Sequence, residues 1–199
     1  KTMNRFERAA RHLKCNACEK QALEYQAAAS ALVCSGCNTQ YPIVDNVIRF
    51  VPNDAYVGNF SKQWEMNAPL DPWSVPEFIQ QTGVLPRDWR GNVIVDAGCG
   101  KGKSETYLSR LIDEASFVIA FDLSNGVTRA AKAFAAHENI VFVQARFESA
   151  PIPPESVDIV LAKGTLMHSP DLVRSFDAMA TLVKPGGRLA VELYPTDAV

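Results

Sequence analysis

Long apolar runs are missing from this chain: no stretch approaches the roughly 18–20 residues that a membrane span needs. The opening KTMNRFERAA also has no apolar centre of the kind a secretory signal carries. These absences argue against a membrane partner and predict a cytoplasmic protein. An excess of charge of one sign is lacking as well. Lys and Arg number 20 against 22 Asp and Glu, a net −2, so no global basic field draws in nucleic-acid phosphates. That balance disfavours an RNA partner and leaves a local patch of Lys14, Lys20 and Arg49 as the place to look for one.

Cysteine is scarce outside one region. Four of the five cysteines form two pairs, Cys15-x2-Cys18 and Cys34-x2-Cys37, while Cys99 stands alone. Two short loops that each turn a pair of sulfurs toward one point match a tetrahedral four-thiolate zinc site. Two disulfides are the alternative, and they suit a secreted mini-domain, which the missing signal disfavours. Residues 1–52 are read as a small zinc ribbon whose core is too small to hold without metal. Between the pairs, ALEYQAAASALVC reads as a hairpin, and YPIVDNVIRFVP as one alternating strand ending at Pro52. The order CxxC, strand, CxxC, then YPI-x-D-x-I-x-F resembles the Trm112-like zinc ribbon over residues 13–52, with Asn46 where a glycine is usual. In that family the ribbon touches RNA, caps a catalytic domain or mediates protein contacts. Its mixed charges here favour a structural role.

Residues 53–90 read as a linker with anchors. Val75 to Thr82 is expected as a helix opened by Ser74. Earlier, Phe60, Gln63 and Trp64 resemble the F-x-x-Q-W segment that precedes the cofactor domain in bacterial methyltransferases, many of them in glycan and natural-product pathways. The resemblance implies that Gln63 and Trp64 lie over the cofactor. The competing reading is simpler: Tyr56, Phe60 and Trp64 recur at a spacing of four, which also describes one buried helix face.

From residue 91 to 199 the pattern alternates strand and helix. Strands are expected at 93–97, 117–122, 140–144, 157–162 and 188–193, mostly as the continuous apolar runs of buried parallel strands. Helices are expected at 103–113, 127–136 and 172–183, the last closed by Lys184-Pro185-Gly186-Gly187. This is a doubly wound, Rossmann-like α/β domain, whose ligands sit beyond the carboxyl ends of the strands where the order reverses.

At the first strand end stands Asp96-Ala97-Gly98-Cys99-Gly100-Lys101-Gly102. Glycines let the backbone pass close to a ligand and turn sharply into a helix, but dinucleotide enzymes use a similar turn. An acid ahead of the turn suits a cationic amino group rather than a pyrophosphate. Asp122, ending the next strand, is placed to take two ribose hydroxyls. Residues 93–195 resemble the class I S-adenosylmethionine-dependent methyltransferases, with D-x-G-C-G-x-G, an acid on the second strand and L-V-K-P-G-G before the fifth. The resemblance implies that Gly98, Gly100 and Gly102 line the methionine portion of S-adenosylmethionine, with Cys99 packed beneath. It implies that Asp96 orients the amine or a nearby water, that Asp122 holds the ribose and that Leu123 packs on adenine. Arg146 occupies the position of the usual acid after the third strand, leaving adenine to Phe147.

After the fourth strand, Lys163-Gly164-Thr165-Leu166-Met167-His168 occupies the place where relatives set residues beside the reactive methyl. Lys163 is assigned to the cofactor and His168 is the base candidate, against the plainer reading of a loop-shaping histidine. The family's sheet has seven strands, and the last two have no counterpart here. Either further sequence follows, or another chain, for instance in a homodimer, covers the edge of the fifth strand. The expected activity is methyl transfer to a small-molecule or glycan-pathway acceptor. An RNA methyltransferase that reads through the ribbon, and a non-catalytic scaffold, are the competing readings.

Overall fold

The computed structural model describes residues 3–51 and 74–194. Gln63 and Trp64, with Tyr56 and Phe60, lie outside the described residues. The first element was not anticipated: α1, Arg5–His12, starts at Asn4, whose side chain accepts from the Phe6 and Glu7 amides while Glu7 reaches back to the Asn4 amide. This reciprocal capping satisfies donors that a helix start leaves open.

The expected hairpin forms as β1, Leu23–Gln26, and β2, Ala31–Cys34, paired antiparallel. The single strand read from YPIVDNVIRFVP is corrected to two, β3 at Gln40–Val44 and β4 at Val47–Arg49. Asp45 and Asn46 between them both take positive φ, 53° and 61°. Two left-handed residues make the tight turn whose twist matches a hairpin, and Asp and Asn tolerate it better than other side chains bearing a Cβ.

Five further strands follow: β5 at Val93–Ala97, β6 at Phe117–Asp122, β7 at Ile140–Gln144, β8 at Val157–Lys163 and β9 at Val183–Glu192. All nine join one sheet in the order β1-β2-β3-β4-β7-β6-β5-β8-β9. The ribbon therefore continues the α/β sheet, because β4 lies parallel to β7 in the register Val47↔Phe142, Ile48↔Val143 and Arg49↔Gln144. β9 starts earlier than expected. Lys184-Pro185-Gly186-Gly187 forms a bulge in that strand, where pairing jumps from Val157↔Val183 to Ile159↔Arg188.

Helices α2 (Val75–Thr82, capped by Ser74 as expected), α3 (Glu105–Leu111), α4 (Gly126–Ala133) and α5 (Leu172–Leu182) complete the described residues. One sheet face packs against Phe78, Tyr107, Leu108, Val127 and Ala130 of α2, α3 and α4. The other packs against Ala9 and Ala10 of α1 and Met179 and Leu182 of α5. On that second face Leu13, Cys15, Tyr41 and Ile48 of the ribbon share one core with Phe121, Val143 and Val160. Each fully buried large side chain of this kind contributes about 1.5–3 kcal/mol, so the ribbon's main hold on the α/β part is apolar. Arg5 adds an ion pair to Glu138 at 2.8 Å, but Glu138 is 62% exposed and solvent keeps the gain under about 1 kcal/mol. Among the described residues no helix is long and apolar enough to cross a membrane.

Candidate functional site

The chain order reverses at β5: β6 and β7 lie on one side, β8 and β9 on the other. The turn after β5 therefore opens at the point where doubly wound sheets hold ligands. Its backbone is tied to β6, since the Gly98 and Cys99 amides both donate to the Phe121 carbonyl at 2.7 and 3.0 Å. Gly98 has φ 80°, and a Cβ there would fall 2.0 Å from Thr165 Oγ1. Only glycine lets the segment after β8 close onto this turn. Asp122 anchors the other side, accepting from the Gly100 amide at 2.8 Å and the Ser124 amide at 2.7 Å. Burial raises its pKa, and these bonds hold its carboxylate in place with lone pairs to spare.

Asp96 is 2% exposed at the end of β5, and Glu105 at the start of α3 is fully buried. Burial pushes Asp96 up to about 6, while hydrogen bonds from Glu105 and Ser104 oppose the rise. Burial also lifts Glu105 well above the carboxylate range, and the neighbouring Asp96 charge adds to it. Asp96 Oδ2 and both Glu105 oxygens meet no conventional hydrogen-bond donor among the described residues. One proton shared between Glu105 and Asp96 accounts for both oxygen sets and leaves one buried negative charge, which Lys163 offsets in part. Sequence reading passed over Glu105; its signal is an acid on the face of α3 that ought to be apolar. Cys99 packs beneath the turn, 6% exposed, and burial raises its thiol well above the usual range. Burial of this kind favours the thiol over the nucleophilic thiolate.

Lys163 is held at the end of β8, its Nζ 2.7 Å from Glu192 Oε2 and 2.8 Å from Gln81 Oε1. His168 lies on the 3-10 turn Leu166–His168, and its Nε2 is 2.7 Å from the Tyr194 hydroxyl. Tyr194, unnoticed in the sequence, also closes over Gly164, where a Cβ would stand 3.2 Å from its ring. Leu123 is half-buried beside Asp122. Arg146 is exposed, and Phe147 meets Phe121 edge-on at 5.8 Å while lining a cleft of about 410 Å³ with Lys14, Asn16 and Leu182. The expected basic patch loses two members: Arg49 is buried, 7% exposed, and Lys14 pairs with Glu19.

The sulfurs of Cys15, Cys18, Cys34 and Cys37 all lie within 4.8 Å of one another. Cys15 and Cys37 are 3.6 Å apart, as are Cys18 and Cys34. A tetrahedral zinc with bonds of about 2.3 Å sets its sulfurs roughly 3.8 Å apart, so the four residues fit the ion. None is in a disulfide. Tyr41 donates or accepts at Cys15 Sγ over 3.2 Å and stacks on Phe50 at 4.0 Å, tying the cysteine cage to the end of β4.

Comparison with known proteins adds to this geometry. A family described as a methyltransferase domain matches residues 95–191, and the Trm112p-like family matches residues 12–46. The ubiquinone/menaquinone biosynthesis C-methyltransferase UbiE of a Marinomonas species is 28% identical over 145 residues, covering 71% of this chain and 52% of its own length. The protein of the same description in Vibrio vulnificus is 30% identical over 145 residues, covering 71% and 50%. Among solved structures, an S-adenosylmethionine-dependent methyltransferase from Mesorhizobium loti aligns with a TM-score of 0.50 at 28% identity, over 60% of this chain and 52% of that one. The chain spans about half the length of the curated relatives it matches.

Proposed function

We propose that this chain, a member of the S-adenosylmethionine-dependent methyltransferases with a Trm112p-like module ahead of its methyltransferase domain, transfers a methyl group to a small-molecule acceptor. The observation that carries the reading is Asp96 itself, a carboxylate 2% exposed at the end of β5 behind the glycine turn, whose burial the hydrogen bonds of Glu105 and Ser104 and the charge of Lys163 offset in part. A carboxylate in that state calls for a cation, and the α-ammonium of S-adenosylmethionine supplies one where a dinucleotide pyrophosphate would be repelled.

When bound, S-adenosylmethionine supplies a methyl group on a sulfonium, already activated for displacement. The chain's own residues hold and orient. Asp96 takes the ammonium, Asp122 the ribose hydroxyls, and Leu123 packs on the adenine. Lys163 at the end of β8 serves the cofactor, and residues 164–168 with Tyr194 face the acceptor beyond the ends of β8 and β9. An acceptor hydroxyl or acidic carbon must lose a proton as the methyl arrives, and the His168–Tyr194 pair offers the place for it. The four cysteines would hold zinc as a closed site with no open position, so the ion's part is structural.

The UbiE relatives are described as C-methyltransferases of quinone biosynthesis, which favours a small aromatic carbon acceptor over a macromolecule. Burial of Arg49 and pairing of Lys14 weigh the same way, since they remove charge from an RNA-facing ribbon. The test is transfer from methyl-labelled S-adenosylmethionine to a panel of quinols and phenols alongside total RNA and protein. Label in the small-molecule fraction supports the reading; label confined to RNA would move it to the nucleic-acid alternative.

A further inference from the structure

Arg49 ends the last strand of the ribbon, 7% exposed. No carboxylate lies within ion-pair distance of it among the described residues. Its guanidinium is spent on neutral groups: Nη1 donates to Gln144 Oε1 at 2.9 Å and Nη2 to Thr128 Oγ1 at 3.0 Å. Gln144, 1% exposed, turns its Nε2 to the Leu123 carbonyl at 2.9 Å. An amide has one accepting and one donating end, so the bond from Arg49 dictates which end faces Leu123. Sheet register puts the three groups in a row, with Arg49 opposite Gln144 and Gln144 opposite Asp122. Thr128 belongs to α4, the helix that opens just after Leu123 and Ser124. A buried cation is costly; the charge of Asp45 and a long 3.4 Å bond from Nη2 to the Val44 carbonyl offset part of that cost within the β3–β4 hairpin, while the two shorter bonds reach out of the ribbon to Gln144 and Thr128.

We propose that Arg49 is a positioning residue for the adenosine end of the cofactor, through which the ribbon sets the Asp122-Leu123-Ser124 segment by way of Gln144 and Thr128. The inference rests on the S-adenosylmethionine reading of the site. It makes the ribbon part of the cofactor site, with a defined contact, where apolar packing alone would make it a brace.

Gln144→Glu separates the two. The glutamate keeps an acceptor for Arg49 but loses the donor to the Leu123 carbonyl. Calorimetry on the zinc-loaded full chain uses S-adenosylhomocysteine and methylthioadenosine, which share the adenosine and differ in the amino-acid end. Gln144→Glu and Arg49→Met should weaken both probes by the same factor, about tenfold for a lost buried bond. Arg49→Lys, able to keep a charged donor to Gln144, should recover part of it. Thermal unfolding and zinc content of Gln144→Glu should stay near wild type, which keeps the test valid if Arg49→Met fails to fold. Affinities within twofold of wild type in folded Gln144→Glu would overturn the proposal. So would a loss confined to S-adenosylhomocysteine. Should wild type bind neither probe, the cofactor reading falls; the Arg49 relay is then read in the ligand-free protein. There hydrogen exchange at the Ser124 and Gly100 amides should quicken in Gln144→Glu, and unchanged exchange would refute it.

Discussion

Replacing Asp96 by asparagine should stabilise the ligand-free protein while weakening its hold on the cofactor. The side chain is 2% exposed and its pKa is raised from 3.8 to about 6, chiefly by burial. Between those values the folded chain holds a proton that the unfolded chain releases. Stability is therefore lost as pH rises through this window, and above about pH 6 the ionised group costs the fold about 3 kcal/mol. Glu105, whose pKa burial also raises well above the carboxylate range, lessens the cost through its hydrogen bond with Asp96. The asparagine side chain has the same shape with no charge to desolvate. Urea unfolding of both proteins from pH 4 to 8 should give a difference near zero at pH 4 that grows to about 3 kcal/mol in favour of Asp96→Asn and levels off above pH 7. The same carboxylate must be ionised to meet an ammonium, so wild-type affinity for S-adenosylhomocysteine should rise through pH 6 and the variant's should be weak and flat. A stability difference independent of pH would rule out a buried, ionising Asp96 as its source, and a variant that binds as tightly as wild type would rule out its part in cofactor binding.

Gly98→Ala should lower the midpoint of thermal unfolding by about 10 °C, since φ 80° strains a side chain and the new Cβ would overlap Thr165; a shift under 2 °C would show that the segment after β8 yields freely. Cys18→Ser should lose zinc and lower the whole chain's melting in one transition, because ribbon and α/β strands share a core; two separated transitions would contradict that continuity. With an acceptor in hand, His168→Asn and Tyr194→Phe should each cut kcat by about a hundredfold or more, and the double variant little further, with S-adenosylhomocysteine affinity unchanged. Additive losses would mean that the 2.7 Å contact between them is not a working pair.

The parts of the site legible in the sequence were those whose chemistry is local. Four cysteines at two-residue spacing, and glycines between Asp96 and Asp122, carry their meaning within a short stretch. Buried strands of the α/β part could be read from apolar runs, and α2 from Ser74. What escaped depends on partners far away in the chain. Glu105 is an ordinary helix residue until Asp96 is beside it. Arg49 looked like a surface cation because three residues, Val47–Arg49, are too few to show the period of a buried strand, and only pairing with β7 buries them. The break at Asp45-Asn46 was hidden because alternation continues across the turn. α1 has a readable signal in the capping pair Asn4 and Glu7, but its eight residues are too few to carry a long apolar stripe.

Calorimetric titration of the zinc-loaded chain with S-adenosylhomocysteine and, in parallel, with NAD tests whether the glycine turn and Asp96 form an S-adenosylmethionine site. One saturable site is expected for S-adenosylhomocysteine, weakened by Asp96→Asn, and no heat with NAD. Binding of NAD, or no binding of S-adenosylhomocysteine by protein that is folded and holds its zinc, would contradict that assignment.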